Sequence, residues 1–198
     1  MSYYWCTDHN RVETDKDVCP ANRVLNLLAA QAGKEYDEGG QMASAGIVNV
    51  ELLNELNDFP YYKKSYPKSL ANDFGTDELY PVIKKAGLPL NDALRTMVEH
   101  IVFQIRKSIR ENGVRNQKIL VTGGGAFNSF MIQRLGEELA SLEIEVVVPE
   151  PGIVQYKEAL VMALIGVLRW RQEYNVLSSV TGAERDSIGG AVWIGQEG

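Results

Sequence analysis

The sequence predicts an α/β domain whose sheet is at least partly parallel, and its last third carries the prediction. Residues 118–122 (KILVT) form a short buried-strand run that enters three glycines and then an amphipathic helix over 127–142. Residues 143–148 (EIEVVV) make a second strand, and the loop 149–151 leads into a further helix over 155–170. Strand, helix and strand in that order imply a crossover, the connection that joins parallel neighbours.

The other elements follow along the chain. Residues 2–6 are rich in β-formers, 7–10 supply turn residues and 11–18 continue extended, so the chain opens as a hairpin. Pro20 suits the first turn of a helix, where a missing N–H costs nothing. Val24, Leu27 and Leu28 follow at helical spacing, and Gly33 supplies a left-handed cap. Between 36 and 73 the pattern is mixed. Gly39 and Gly40 break it, Leu52, Leu53 and Leu56 have helical spacing, and 59–70 form an aromatic, basic loop. The clearest helix opens at Asn91. Leu94, Met97, Val98, Ile101, Val102, Ile105 and Ile109 make a regular apolar stripe that Gly113 closes. The helix over 155–170 is apolar on nearly all faces and is expected to be buried; 189–194 would be a final strand.

Composition narrows the class. A chain of 198 residues, 45% hydrophobic and 23% charged, is long enough for one sizeable soluble domain with its own core. A net charge of −6 with both signs interspersed leaves no basic footprint for nucleic acid or an anionic membrane. Three cations within 106–110 lie near the end of a predicted helix, where they complement its dipole. Cys6 and Cys19 make no disulfide framework, which favours a reducing cytoplasm. Residues 1–10 carry no signal peptide, and the longest apolar run, 159–168, is too short to span a bilayer. His9 and His100 have no partner spacing, and neither a Cys/His cluster nor HExxH occurs, so no metal site is expected. His100, in the long helix, is expected to be packed or solvent-exposed.

Three places carry candidate chemistry. Gly123, Gly124 and Gly125 follow a strand and precede a helix, at the sheet edge where open α/β sheets bind ligands. Glycines allow close approach, and the helix N-terminus offers N–H groups to phosphate or ribose oxygens. The segment is neither G-x-G-x-x-G nor a Walker A loop, so nucleotide binding and a tight strand–helix connection both fit it. Asp17 ends an extended segment ahead of a helix, where a carboxylate reaches a cleft edge or serves as a solvated helix-entry residue. Glu158 lies in the first turn of the predicted buried helix, where it complements the helix dipole or accepts a hydrogen bond from a sugar hydroxyl.

Six segments, in order, resemble the anhydro-N-acetylmuramic acid kinase family of the acetate and sugar kinase/Hsp70/actin superfamily. Asp17-Val18-Cys19-Pro20-Ala21-Asn22 is similar to the family's Asp-(Thr or Ile)-Gly-Pro-Gly-Asn, and Tyr36-Asp37-Glu38-Gly39-Gly40 to its Tyr-Asp-x-x-Gly. Pro67-Lys68-Ser69 matches its Pro-Lys-Ser loop, and Gly123-Gly124-Gly125-Ala126-Phe127-Asn128 its Gly-Gly-Gly-Ala-x-Asn signature. Lys157-Glu158-Ala159 and Val180-Thr181-Gly182-Ala183 match its two C-terminal landmarks. Cys19 and Ala21 depart from the glycines that many members carry. The Gly-Thr-Met-Ser-Gly-Thr-Ser-x-Asp segment with which the family begins, and which holds the ATP phosphates, has no counterpart here.

The resemblance implies that residues 1–198 are a single C-terminal lobe without the N-terminal phosphate-binding lobe, inactive in isolation. The implied fold is one lobe of an actin-like ATPase (ribonuclease H-like), a mixed sheet with flanking helices. The implied reaction uses ATP and water to convert 1,6-anhydro-N-acetylmuramic acid to N-acetylmuramic acid 6-phosphate in cell-wall recycling. Asp17 would be the general base; Asn22 and Glu158 would bind the sugar; Gly123, Gly124, Gly125, Ala126 and Asn128 would line the nucleotide site. The implied cofactors are ATP and Mg²⁺, the partners the amino sugar and the missing lobe, and the uncovered surface implies self-association. The rival readings are another sugar or acetate kinase of the superfamily, and a non-catalytic nucleotide- or partner-binding fragment.

Overall fold

One long helix organises the larger of two units in the computed structural model of this chain. The units are Met1–Tyr3 with Lys16–Pro149, and Tyr4–Asp15 with Glu150–Gly198. The structure describes residues 2–7, 11–65, 68–71, 73–193 and 195. Strands β1 (Ser2–Thr7) and β2 (Arg11–Asp17) pair as a two-stranded sheet, in keeping with the expected hairpin, whose turn at 8–10 lies outside the described residues.

Helix α1 (Asn22–Ala29) starts later than Pro20 suggests. Ala21 is its N-cap with non-helical backbone angles, and Pro20 instead packs against Gly75. A Cβ on Gly75 would come within 2.8 Å of Pro20 Cβ and 2.9 Å of Val24 Cγ2. Gly75 belongs to a short π-helix, Phe74–Leu79, which the sequence did not signal. A 3-10 turn, Ala30–Ala32, extends α1, and Gly33 closes it at φ +70° as expected.

Helices α2 (Gln41–Ser44), α3 (Val50–Asn57) and α4 (Tyr80–Lys85) precede α5 (Leu90–Glu111). The apolar stripe of α5 is buried as expected, against α1, α2, α3 and α6 (Ser129–Leu139). Leu28, Leu56, Leu94, Met97, Ile101, Ile105, Met131, Leu135 and Leu139 form the fully buried centre. Each such side chain stabilises the fold by about 1.5–3 kcal/mol relative to exposure. Gly113 ends α5 at φ +68°, and Val114 N–H donates back to Ile109 O, the bond pattern of a Schellman cap.

The parallel pair is also as expected. Strands β3 (Lys118–Leu120) and β4 (Glu145–Val147) run parallel with Lys118, Ile119 and Leu120 opposite Glu145, Val146 and Val147, and α6 is the crossover. The larger mixed sheet is not assembled: the described strands form two separate two-stranded sheets. The β3–β4 pair is only three residues long, cut off by the glycine turn after Thr122 and by Pro149, which has no N–H to donate.

In the second unit, α7 (Pro151–Trp170) corrects an expectation. It begins at Pro151 rather than 155, and it is not a buried helix: Val154 is its one buried residue, while Leu160 is 63% and Trp170 74% exposed. A helix apolar on every face needs cover on every face, and the described residues supply little of it. By length and composition α7 could cross a membrane. Lys157 and Glu158, well inside it, would then sit at hydrocarbon depth at high cost. Residues 189–193 form no strand, a second correction; Ile194 is outside the described residues. Asn175 takes up the backbone groups there, accepting from Gly189 N–H at 2.7 Å and donating to Gly189 O and Ile165 O, beside an isolated bridge between Val176 and Ser187.

Candidate functional site

Three of the motif segments converge at the head of α6. Val121 N–H donates to Val147 O and prolongs the β3–β4 ladder up to the glycine turn. Gly123 then adopts φ +75°, ψ −175°, a region essentially reserved for glycine. A Cβ there would meet nothing within 4 Å, so backbone conformation demands the glycine and the space beside it is open. A 3-10 turn, Gly124–Phe127, follows, and the carboxamide oxygen of Asn128 accepts from Met131 N–H at 2.9 Å as the N-cap of α6.

Asn22, half-buried at the start of α1, lies across this turn. A Cβ on Gly124 would fall 2.6 Å from Asn22 Nδ2, and one on Gly125 would fall 3.2 Å from Asn22 Oδ1. Gly39 and Gly40, both at positive φ, press on the other side. A Cβ on Gly40 would overlap Asn128 Oδ1, and Ser129 Oγ donates to Gly39 O at 3.0 Å. Asp37 of the same segment is 7% exposed and accepts from Met42 N–H at 2.8 Å and Ala43 N–H at 2.9 Å, capping α2. So Asn22, Gly124, Gly125, Asn128 and Gly40 are brought together; Asp17, the last residue of β2, leads into this cluster through buried Val18 and Cys19. Burial pushes the Cys19 thiol up to about 11, so it is no nucleophile at neutral pH.

The other motifs stand elsewhere. Lys68 donates to Tyr61 O at 3.3 Å and lies 4.5 Å from the Tyr61 ring centroid; burial, then nearby Lys107, holds its ammonium below the ordinary value. Its neighbour Pro67 is outside the described residues. Glu158 is exposed and sits two turns into α7, in the second unit, because the helix starts at Pro151. The first-turn dipole reading of Glu158 is thereby corrected, since that effect fades beyond the first turn. The Val180–Ala183 landmark ends helix α8 (Ser178–Thr181): Gly182 takes φ +73°, and Thr181 Oγ1 donates to Leu177 O. Ser178 N–H and Oγ–H both donate to Asp186 Oδ1, which holds that carboxyl below its ordinary value.

Two features were missed. The packing of Asn22 on glycines about a hundred positions away has no local sequence signal. Neither has the buried chain Tyr62, His100, Asn57 and Gln104, although packing of His100 was one of its two expected states. A depression of about 550 Å³ lined by Asn54, Glu55, Asn57, Asp58, Phe103 and Lys107 contains none of the motif residues. Among the described residues no three His, Cys, Asp or Glu side chains are grouped to hold a metal ion.

Comparison with known proteins identifies relatives along most of the chain. The family model described as anhydro-N-acetylmuramic acid kinase matches residues 9–195. A protein of that name from Francisella tularensis subsp. novicida (strain U112) is 32% identical over 185 residues, covering 89% of this chain and 48% of its own length. Another from Sulfurimonas denitrificans (strain ATCC 33889 / DSM 1251) is 34% identical over 171 residues, covering 81% and 46%. A third, from Rhodococcus erythropolis (strain PR4 / NBRC 100887), is 30% identical over 188 residues, covering 92% and 47%. The chain spans about half the length of the curated relatives it matches. With the family model matching residues 9–195, nearly all of its length, the chain belongs to the anhydro-N-acetylmuramic acid kinase family.

Proposed function

We propose that this chain is the C-terminal lobe, of actin-like ATPase type, of a cytoplasmic kinase that uses ATP and water to convert 1,6-anhydro-N-acetylmuramic acid to N-acetylmuramic acid 6-phosphate, a step in peptidoglycan recycling. The observation that carries this reading is the packing of Asn22, five positions after Asp17, on the Gly124–Gly125 turn, because a kinase must hold its acceptor chemistry beside its phosphoryl donor.

The turn suits a nucleotide. Gly123 is exposed beside open space, and the backbone then enters a helix whose N-terminal end favours anionic groups. Gly123, Gly124, Gly125, Ala126 and Asn128 line this side, and Asn128 offers a ligand only its amide nitrogen because its oxygen caps α6. When bound, ATP would supply the phosphoryl group and a magnesium ion would offset the charge of its phosphates.

Asp17 is the general base. It takes a proton from the water whose oxygen bonds to C1 of the sugar; the C1–O6 bond breaks, and O6 accepts the phosphoryl group. Asn22 borders the sugar side, and Glu158 is the second sugar-binding residue, accepting from a hydroxyl.

The test is Asp17→Asn in a form extended to the length of the relatives. The substitution keeps shape and removes the basicity, so kcat should fall about 10²–10⁴-fold with ATP affinity little changed. Parent-like turnover by a folded Asn variant would remove Asp17 from the role.

A further inference from the structure

We propose that Asn22 is a positioning residue that keys the segment 17–22 to the glycine turn, so that a nucleotide seated on the turn fixes where Asp17 stands. The relay rests on the nucleotide reading of the turn given above; the steric key does not.

The key is visible in the geometry. The two ends of one carboxamide face two adjacent α-carbons, Nδ2 against Gly124 and Oδ1 against Gly125, at separations that leave no room for a methyl group on Gly124. The turn therefore cannot shift toward Asn22 without displacing it. Nor is it free to swing away, because its far end is held by the Asn128 cap and by Gly40 pressed against Asn128 and Phe130.

What happens when Asn22 is displaced depends on what flanks it. On the C-terminal side α1 is anchored in the core by Val24, Leu25 and Leu28. On the N-terminal side Val18 and Cys19 are buried and Pro20 is seated on Gly75. Close-packed interiors transmit displacement rather than absorb it. A backbone shift at Asn22 thus passes back to Asp17 along the four-residue connector Val18-Cys19-Pro20-Ala21, which is buried at Val18 and Cys19. Asparagine fits this role because its side chain is a flat, uncharged group on a short stem that lies over bare α-carbons.

The experiment is a double-mutant cycle read by backbone amide NMR on this chain, using Gly124→Ala, Asn22→Ala and the pair. Without ligand, Gly124→Ala should shift the amides of Val18, Cys19 and Asn22, and in the Asn22→Ala background the same methyl group should leave Val18 and Cys19 unmoved. Equal shifts in both backgrounds, or none in either, would overturn the key. If Gly124→Ala fails to fold, the pair should fold again; a pair that also fails, while Asn22→Ala folds, counts against it. A second arm adds Mg·ATP. In the parent, ATP should move amides of both the turn and residues 17–22; Asn22→Ala should keep the first response and lose the second, and Asn22→Asp, of the same shape, should keep both. Retention of the second response in Asn22→Ala overturns the relay. If ATP moves no turn amide in the parent, the nucleotide reading and the relay both fall, while the ligand-free cycle still decides the key.

Discussion

Asn57 Oδ1 accepts from Gln104 Nε2 at 2.8 Å and lies 2.8 Å from His100 Nδ1, so Nδ1 carries the proton. His100 Nε2 is then the acceptor for the Tyr62 hydroxyl at 2.9 Å, and the ring is neutral. Full burial lowers the His100 pKa to about 3, and burial also pushes the Tyr62 hydroxyl well above its ordinary range. The sign of the pH effect follows. The folded value lies below the unfolded one, near 6.5, so this contribution to stability is complete above 6.5 and is lost as pH falls toward 3. The slope approaches about 1.4 kcal/mol per pH unit, and urea unfolding at pH 7.5 and 5 should differ by about 2 kcal/mol from this residue alone. A His100→Gln chain should lose most of that difference; an equal difference in both chains would refute the assignment. The sequence shows that His100 lies on the long helix, but its partners Asn57 and Tyr62 are 43 and 38 positions away and leave no spacing to read.

Arg134 of α6 joins Glu99 of α5 to two glutamates of its own helix. Arg134 donates to Glu99 through Nε at 2.7 Å and Nη2 at 3.1 Å, to Glu138 at 3.3 Å, and to Glu137. The Glu99 side chain is only 12% exposed, so losing Arg134 leaves a poorly solvated carboxylate with Arg95 alone beside it. Arg134→Met should lower the urea midpoint by an amount worth about 1–3 kcal/mol with an unchanged denaturant slope. A loss under about 0.5 kcal/mol would class it with exposed pairs of little value.

Helix α7 poses the opposite problem, apolar surface without cover. Tyr156, Leu160, Val161, Met162, Leu164, Val167 and Trp170 are exposed, and patches of that kind mark interaction sites. The chain should therefore self-associate as its concentration rises in sedimentation velocity. A single monomer peak at every concentration would contradict this. Both elements were legible as helices, α5 from the apolar stripe Leu94 to Ile109 and α7 as a run over 155–170 that is apolar on nearly all faces. Burial of α7 was not, because an apolar surface reports what a helix needs covered and says nothing about whether the cover belongs to the same chain.

Across the whole molecule, the legible parts are those where local signals agree. The run KILVT, the three glycines and the amphipathic run over 127–142 all demand one strand–turn–helix, and the structure has it, with the helix starting at Ser129. Residues 189–193 lacked that agreement. Gly189 and Gly190 weaken a strand, and Asn175 offers their backbone an alternative partner. The site was legible as motifs in order but not as a geometry, since contacts such as Asn22 on Gly124 join positions that only the fold brings together. The central claim is that this geometry serves the opening and phosphorylation of an anhydro amino sugar. Mass spectrometry of the sugar product, with the form extended to the length of its relatives, ATP, magnesium and 1,6-anhydro-N-acetylmuramic acid, tests it most directly. The account predicts a product heavier than the substrate by one phosphoryl group and one water, formed only with ATP. Unchanged sugar, or a phosphorylated product with the anhydro ring intact, would contradict it.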